Sequence, residues 1–195
     1  MSKHYKLKVS DYAEGVSAYG AALATAAAVL GSNLVVVALA WDHPPEEGGI
    51  VTITFLMMIS FVFFVNVLHY IMRAEYLVTR LRMTESDEEA KGKILQELTR
   101  ISRWSRFMHI SGLVFTMIAF WVISYKYLVS IPDVGYHPIV LALPFILFVL
   151  SWLPKFFGIE KEVSVKSGEL MMQLIIEIIF LLLICLDFLR VITIF

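Results

Sequence analysis

One carboxylate lies in the middle of the most apolar segment of the chain. In the stretch GELMMQLIIEIIFLLLICLDFLR, Glu177 is the only formally charged residue among the 17 residues between Glu169 and Asp187. A charged side chain at the centre of a bilayer is costly, and acids found there commonly belong to ion or proton pathways. The residue type and its surroundings therefore predict that Glu177 is the central site of an ion pathway.

Three other polar residues are predicted to line the same pathway. Glu169, Gln173 and Glu177 recur every four residues, so they share one helix face. That face is expected to meet protein or water rather than lipid. Asn33 and Asn66 lie in other apolar runs, where an amide must find a hydrogen-bond partner. The alternative is that Glu177 is a protonated carboxyl that only joins neighbouring helices.

Long uncharged runs surround these residues. Of the 195 residues, 59% are hydrophobic and 17% charged, whereas soluble domains have about 45–50% apolar and about 25% charged residues. Runs without a formal charge cover residues 15–41, 50–72, 107–125 and 134–154. About 20 apolar residues suffice to cross a bilayer as a helix. These four runs are therefore predicted to span a membrane.

The segment around Glu177 is predicted to be a fifth span. Twelve of its 17 inner residues are Leu, Ile or Phe, which favour insertion by about 4–7 kcal/mol against about 2.5–3.5 kcal/mol for the acid. The predicted fold is an all-α polytopic membrane domain with five transmembrane helices, at about residues 15–41, 50–72, 107–128, 136–154 and 169–190. A capping box at residues 86–89 and apolar residues at helical spacing predict that spans 2 and 3 extend as a helical hairpin over residues 73–106.

Basic residues are gathered on alternate connections. Of the 16 Lys and Arg residues, only Lys126 and Arg190 lie on the side opposite the hairpin. The positive-inside rule therefore predicts a cytoplasmic N-terminus and hairpin and an external C-terminus. Aromatic residues mark the expected boundaries, with Trp41, Tyr125, Tyr127 and Tyr136 outside and Trp104 and Trp152 inside. The outer connections hold acids that either concentrate cations or form a solvated loop surface: Asp42, Glu46, Glu47 and Asp133.

The first span carries a row of small side chains. Gly20, Ala24 and Ala28 recur every four residues, and Gly31 follows them. Such a stripe lets helices approach closely. It predicts a helix-packing interface, either within the chain or with the same span of a neighbouring subunit. A bundle of this size is expected to form a symmetric homo-oligomer.

Two histidines offer a different chemistry. His69 near the end of span 2 and His109 near the start of span 3 lie at a similar depth, and paired histidines are ligands of haem. The sequence contains no HExxH, GxSxG, P-loop, CxxC or CxxCH motif, and it has one cysteine. An enzyme is therefore not expected, nor is a bound metal or other cofactor. Acidic residues in the hairpin argue against nucleic-acid binding.

The leading functional expectation is a pore or small transporter that conducts cations or protons through the lipid bilayer. The first alternative is a non-catalytic membrane subunit or signalling component whose hairpin, residues 73–106, docks a cytoplasmic protein. The second alternative is a b-type haem cytochrome, with His69 and His109 as ligands.

Overall fold

A computed structural model describes residues 9–83, 88–156 and 167–193. Within these ranges the chain is helical and contains no strand, which confirms the predicted all-α class. The elements are α1 (Val9–Asp42), α2 (Ile50–Met83), α3 (Glu88–Val129), a 3₁₀ helix (Pro138–Leu141), α4 (Ala142–Phe156) and α5 (Ser167–Phe188).

Four helices in the described ranges are long and apolar enough to cross a membrane. The qualifying segments are Leu23–Asp42 in α1, Ile50–Leu81 in α2, Glu88–Val129, which is all of α3, and Leu170–Phe188 in α5. The prediction that the segment around Glu177 has the length of a span is therefore confirmed, even though it contains an acid. The predicted span at residues 136–154 corresponds to a shorter apolar helix, Pro138–Leu153.

The described residues belong to two compact units. The first comprises Met1–Ser32 and Val62–Ile110, and the second comprises Asn33–Phe61 and Ser111–Phe195, each as far as the structure describes it. Because the boundaries fall within helices, α1, α2 and α3 contribute segments to both units.

In the first unit, α2 and α3 continue well beyond the apolar runs and pack on each other. Arg73 Nη2 lies 2.5 Å from Glu97 Oε1 and joins the two helices at their surface. Residues 84–87, which include the first two residues of the predicted capping box, lie outside the described residues. These extended parts of α2 and α3 share an apolar core, which consists of Ala74, Leu77, Val78, Ile94, Leu98 and Ile101.

A second apolar cluster in this unit joins α1 to α2. Ala26 is buried against Phe64, Val67 and Ile71. The alanine methyl group leaves room for the large side chains of α2, so the two helices lie close together.

In the second unit, the end of α5 is set by a Schellman motif. The Val191 N–H donates to the Leu186 carbonyl at 3.0 Å, and the Arg190 N–H donates to the Asp187 carbonyl at 2.9 Å. Arg190 takes the left-handed conformation, with φ 56°, that glycine usually supplies at this position. Its guanidinium lies 4.3 Å from the centre of the Tyr136 ring, a cation–π contact that offsets part of the backbone strain. Because the Asp187 carbonyl is an acceptor in this Schellman motif, the motif fixes the position of Asp187 in the last turn of α5.

Candidate functional site

Glu177 lies on the buried face of α5. Its side chain is 0% exposed, and Gln173, Leu181, Ile184 and Asp187 are buried along the same helix. The spacing of four, four, three and three residues is that of one helix face. The polar face predicted to turn away from lipid is thus the face that packs against the rest of the second unit.

Two N–H groups hold the Glu177 carboxylate. Trp152 Nε1 of α4 donates to Oε2 at 2.6 Å, and Gln173 Nε2 donates to Oε1 at 2.7 Å. Each carboxylate oxygen therefore accepts one hydrogen bond from a neutral donor. The Trp152 ring packs on Phe148, with ring centres 6.3 Å apart, and Phe148 in turn contacts Trp121 at 6.0 Å. Aromatic packing between α3 and α4 thereby keeps the indole in position.

This environment suits a proton better than a metal ion. The hydrogen bonds from Trp152 and Gln173 present hydrogen atoms to Glu177, whereas a metal ion needs several oxygen ligands around it. A proton needs only one carboxylate oxygen, which becomes available when one donor turns away. The trio of Glu177, Trp152 and Gln173 therefore has the chemistry of a single protonatable site.

A buried ion pair joins α3 to α5 in the same unit. Lys126 Nζ lies 2.9 Å from Asp187 Oδ2, and the residues are 2% and 4% exposed. The Tyr125 hydroxyl donates to the same oxygen at 2.8 Å. The ammonium group also donates to the Glu47 carbonyl at 3.3 Å. A buried lysine and aspartate therefore neutralise each other, and they connect the two helices with the loop after α1.

This ion pair could not be predicted from the sequence. Lys126 and Asp187 are 61 residues apart, and spacing rules cover only residues that are near in the chain. One signal was present in the sequence: Lys126 directly follows the apolar run of α3, where a cation needs an opposite charge nearby.

Gly49 leaves space for the Lys126 side chain beside the loop after α1. A Cβ atom at Gly49 would lie 2.9 Å from Lys126 Cγ, and the residue has φ +90°. Both the space and the backbone conformation therefore favour glycine at this position.

We expect Gly49→Ala to destabilise the purified protein by about 1–3 kcal/mol, measured by chemical unfolding in detergent. Gly135→Ala is the matched control, because Gly135 also has a positive φ, +46°, but nothing lies within 4 Å of its Cβ position. The control reports backbone strain alone. Equal losses in the two variants would mean that Lys126 adjusts without cost.

A third buried polar cluster surrounds Asn33. Its Nδ2 donates to Ser60 Oγ at 3.1 Å and to Thr116 Oγ1 at 3.2 Å. The Ser60 hydroxyl donates to the Gly112 carbonyl at 2.9 Å. Asn33 is 2% exposed, and its Oδ1 has no hydrogen-bond partner among the described residues. The amide thus joins α1, α2 and α3.

Asn66 lies in the first unit and bonds within its own helix. Its Nδ2 donates to the Val62 carbonyl at 2.8 Å, and the side chain is half-buried. Its predicted place in the ion pathway stays a prediction.

The four acids of the predicted acidic mouth are all exposed: Asp42, Glu46, Glu47 and Asp133. Glu47 accepts a hydrogen bond from the Tyr136 hydroxyl at 3.2 Å. Partial burial, together with the Glu47 carboxylate, raises the pKa of Tyr136. Within the second unit, Glu47 therefore joins the loop after α1 to the loop before the 3₁₀ helix.

The small-residue stripe of α1 is open to the outside of the chain. Ala24, Ala28 and Gly31 are exposed, whereas Ala26 faces α2. A Cβ at Gly31 would have nothing within 4 Å. Gly20 lies in α1 among residues whose surroundings the structure does not describe. The face of α1 that packs on α2 is thus not the face that carries the small-residue stripe.

The two histidines contact different aromatic rings. His69 is exposed and lies 6.2 Å from the Tyr70 ring. His109 is half-buried and lies 5.6 Å from the Phe64 ring in an edge-on arrangement. Neither contact favours haem ligation, which stays a prediction.

The candidate site is therefore a set of three buried polar clusters in the second unit, around Glu177, around Asn33 and around the Lys126–Asp187 pair. Comparisons with protein-family models, with curated proteins and with solved structures find no match for this chain, so its function has to be inferred from the chemistry of these clusters.

Proposed function

We propose that the chain is a multi-pass membrane protein that conducts protons, in preference to metal cations, and that Glu177 is the group that carries them through the middle of the bilayer. The observation that supports this is the complete burial of its carboxylate between two N–H donors. Hydrogen bonds from Trp152 and Gln173 hold both oxygens of the carboxyl group in place between α4 and α5.

The cost of the carboxylate supports a role beyond packing. An acid at the centre of a span disfavours insertion by about 2.5–3.5 kcal/mol. A neutral amide at position 177 would accept a hydrogen bond from Trp152 and join α4 to α5 at lower cost. What a carboxylate adds is the ability to bind and release a proton.

Asp187 is the second acid on the same buried face of α5. It lies ten residues after Glu177, which corresponds to about 15 Å along a helix. Leu181 and Ile184 are buried between the two acids. The two carboxyl groups are too far apart for a proton to transfer directly between them. Conduction therefore requires water to enter along this face. The Lys126–Asp187 pair would then form the outer end of the path.

Five spans are part of the proposal. The 3₁₀ helix of four residues and α4 of 15 residues follow each other without a break. At about 2.0 Å and 1.5 Å per residue they extend over about 30 Å, which is the thickness of the hydrocarbon core. We place the N-terminus and the hairpin in the cytoplasm and the C-terminus outside, because the basic residues are concentrated on the hairpin side.

We further propose that the protein is a homo-oligomer that associates through Ala24, Ala28 and Gly31. These residues form an exposed, smooth face on α1, and small residues allow close contact between membrane helices.

Gly31→Ile is expected to dissociate the oligomer, because the larger side chain would hold the helices apart. Light scattering of the detergent-solubilised protein, corrected for bound detergent, measures the mass. Gly92→Ile is the control, since Gly92 is also helical and has nothing within 4 Å of its Cβ position. An unchanged mass for Gly31→Ile would contradict this interface.

Proton uptake into liposomes tests the proposed function. The purified chain is reconstituted, a potassium diffusion potential is applied, and a pH-sensitive dye inside the liposomes reports proton entry. We expect faster uptake than in protein-free liposomes. Equal rates would refute proton conduction, and a sodium flux larger than the proton flux would refute the preference for protons.

A further inference from the structure

An open groove of about 650 Å³ lies along the part of α3 that precedes the apolar run. Its described lining is polar, and three of the six residues in it are basic. The lining residues are Lys93, Gln96, Glu97, Thr99, Arg100 and Arg103.

Two of the basic groups in this groove have no acidic partner in the described parts of the chain. Glu97 is paired with Arg73 at 2.5 Å, and Lys93 is paired with Glu89 at 2.8 Å. Arg100 and Arg103 are exposed, and neither forms an ion pair with a described residue. They are three residues apart, so their guanidinium groups share one face of α3. The groove therefore carries two positive charges available to an anion.

The same two arginines lie close to the expected membrane surface. The apolar run of α3 begins at Phe107, four residues after Arg103 and seven after Arg100, or about 6 Å and about 10 Å along the helix. Trp104 is exposed, and its ring lies 5.9 Å from the Phe107 ring. An exposed indole at the start of an apolar run is typical of the membrane interface. Arg100 and Arg103 would thus lie at the depth of lipid headgroups.

We propose that Arg100 and Arg103 bind the phosphate of an anionic lipid headgroup. The planar guanidinium group donates two parallel hydrogen bonds to a phosphate, and two such groups on one helix face can hold one headgroup. Six apolar side chains of the hairpin are already buried in its own core, and the side chains that face this groove are polar, which favours a small anionic ligand over an apolar protein surface. This site depends on membrane insertion and not on proton conduction.

Lipid binding to the purified full chain tests the site. Native mass spectrometry measures the bound fraction during titration with phosphatidylglycerol, and in parallel with zwitterionic phosphatidylcholine. The wild type is expected to prefer phosphatidylglycerol. The double variant Arg100→Gln/Arg103→Gln should weaken that binding by about fivefold for each guanidinium removed. Arg80→Gln, a change at another exposed arginine of the hairpin, should leave the preference intact.

Three results would overturn the proposal. The double variant could bind phosphatidylglycerol as tightly as the wild type does. Inorganic phosphate at equal concentration could compete, which would indicate a site for a free anion. The double variant could keep the preference for phosphatidylglycerol but lose a protein that co-purifies with the wild type, which would assign the groove to a protein partner. If the glutamine variant does not fold, Arg100→Lys/Arg103→Lys replaces it, and retention of the preference with lower affinity is then expected.

Discussion

Replacing Glu177 by glutamine is expected to lower proton uptake into proteoliposomes by a factor of about 100 or more. Glutamine has nearly the same size and can still accept the hydrogen bond from Trp152. Gln173 can turn its amide to present its oxygen to the new N–H group. The variant therefore keeps the packing of α4 on α5 and loses only the ability to bind a proton. Dye-based uptake under a fixed membrane potential measures the difference.

Glu47→Gln is the control for this experiment. Glu47 is an exposed acid of the outer loop, and its replacement removes one negative charge without touching Glu177. We expect its uptake rate to stay within about twofold of the wild type, since exposed charges contribute little at physiological ionic strength. If Glu177→Gln conducts as fast as the wild type, Glu177 is a packing residue and the proposed function has lost its central group.

Lys126→Met is expected to destabilise the protein by about 3–5 kcal/mol, because it leaves the buried Asp187 carboxylate without its cation. Methionine fills a similar space, so the loss reports the charge and not a cavity. Adding Asp187→Leu to this variant should recover most of the stability, since an apolar pair avoids the cost of desolvating two charges. Chemical unfolding of the detergent-solubilised protein, followed by tryptophan fluorescence, measures each step.

Lys93→Met provides the comparison for an exposed pair. Lys93 lies 2.8 Å from Glu89, and both side chains are more than two-thirds exposed. Water and salt screen such a pair, so its removal should cost no more than about 0.5 kcal/mol. A loss at Lys126 no greater than the loss at Lys93 would show that Asp187 is stable without the lysine.

The helices could be predicted from the sequence because hydropathy and periodicity are local properties. The apolar run that begins at Ile50 marks the start of α2. The helix continues to Met83 because Ala74, Leu77 and Val78 keep the helical spacing of apolar residues after the charges begin. The spacing of Gln173 and Glu177 likewise predicts one face of α5. Each of these inferences uses residues within a few turns of one another.

The partners of the buried charges could not be predicted in the same way. The sequence alone assigned Trp152 and Tyr125 to the membrane boundaries, whereas the structure buries both and bonds them to carboxylates of α5. Their positions along the chain were consistent with interfacial anchors. What hydropathy does not encode is the rotation of each helix about its axis, and this rotation decides whether a polar side chain meets Glu177, Asp187 or lipid.

Because the Trp152 indole donates a hydrogen bond to Glu177, its fluorescence can serve as a probe of that acid. The chain contains four tryptophans, so a variant in which Trp41, Trp104 and Trp121 are phenylalanine would emit only from Trp152. Tryptophan emission responds to the charge of a neighbouring carboxyl group. The wavelength and intensity of that emission would then report the protonation and deprotonation of Glu177 in real time, without any added dye.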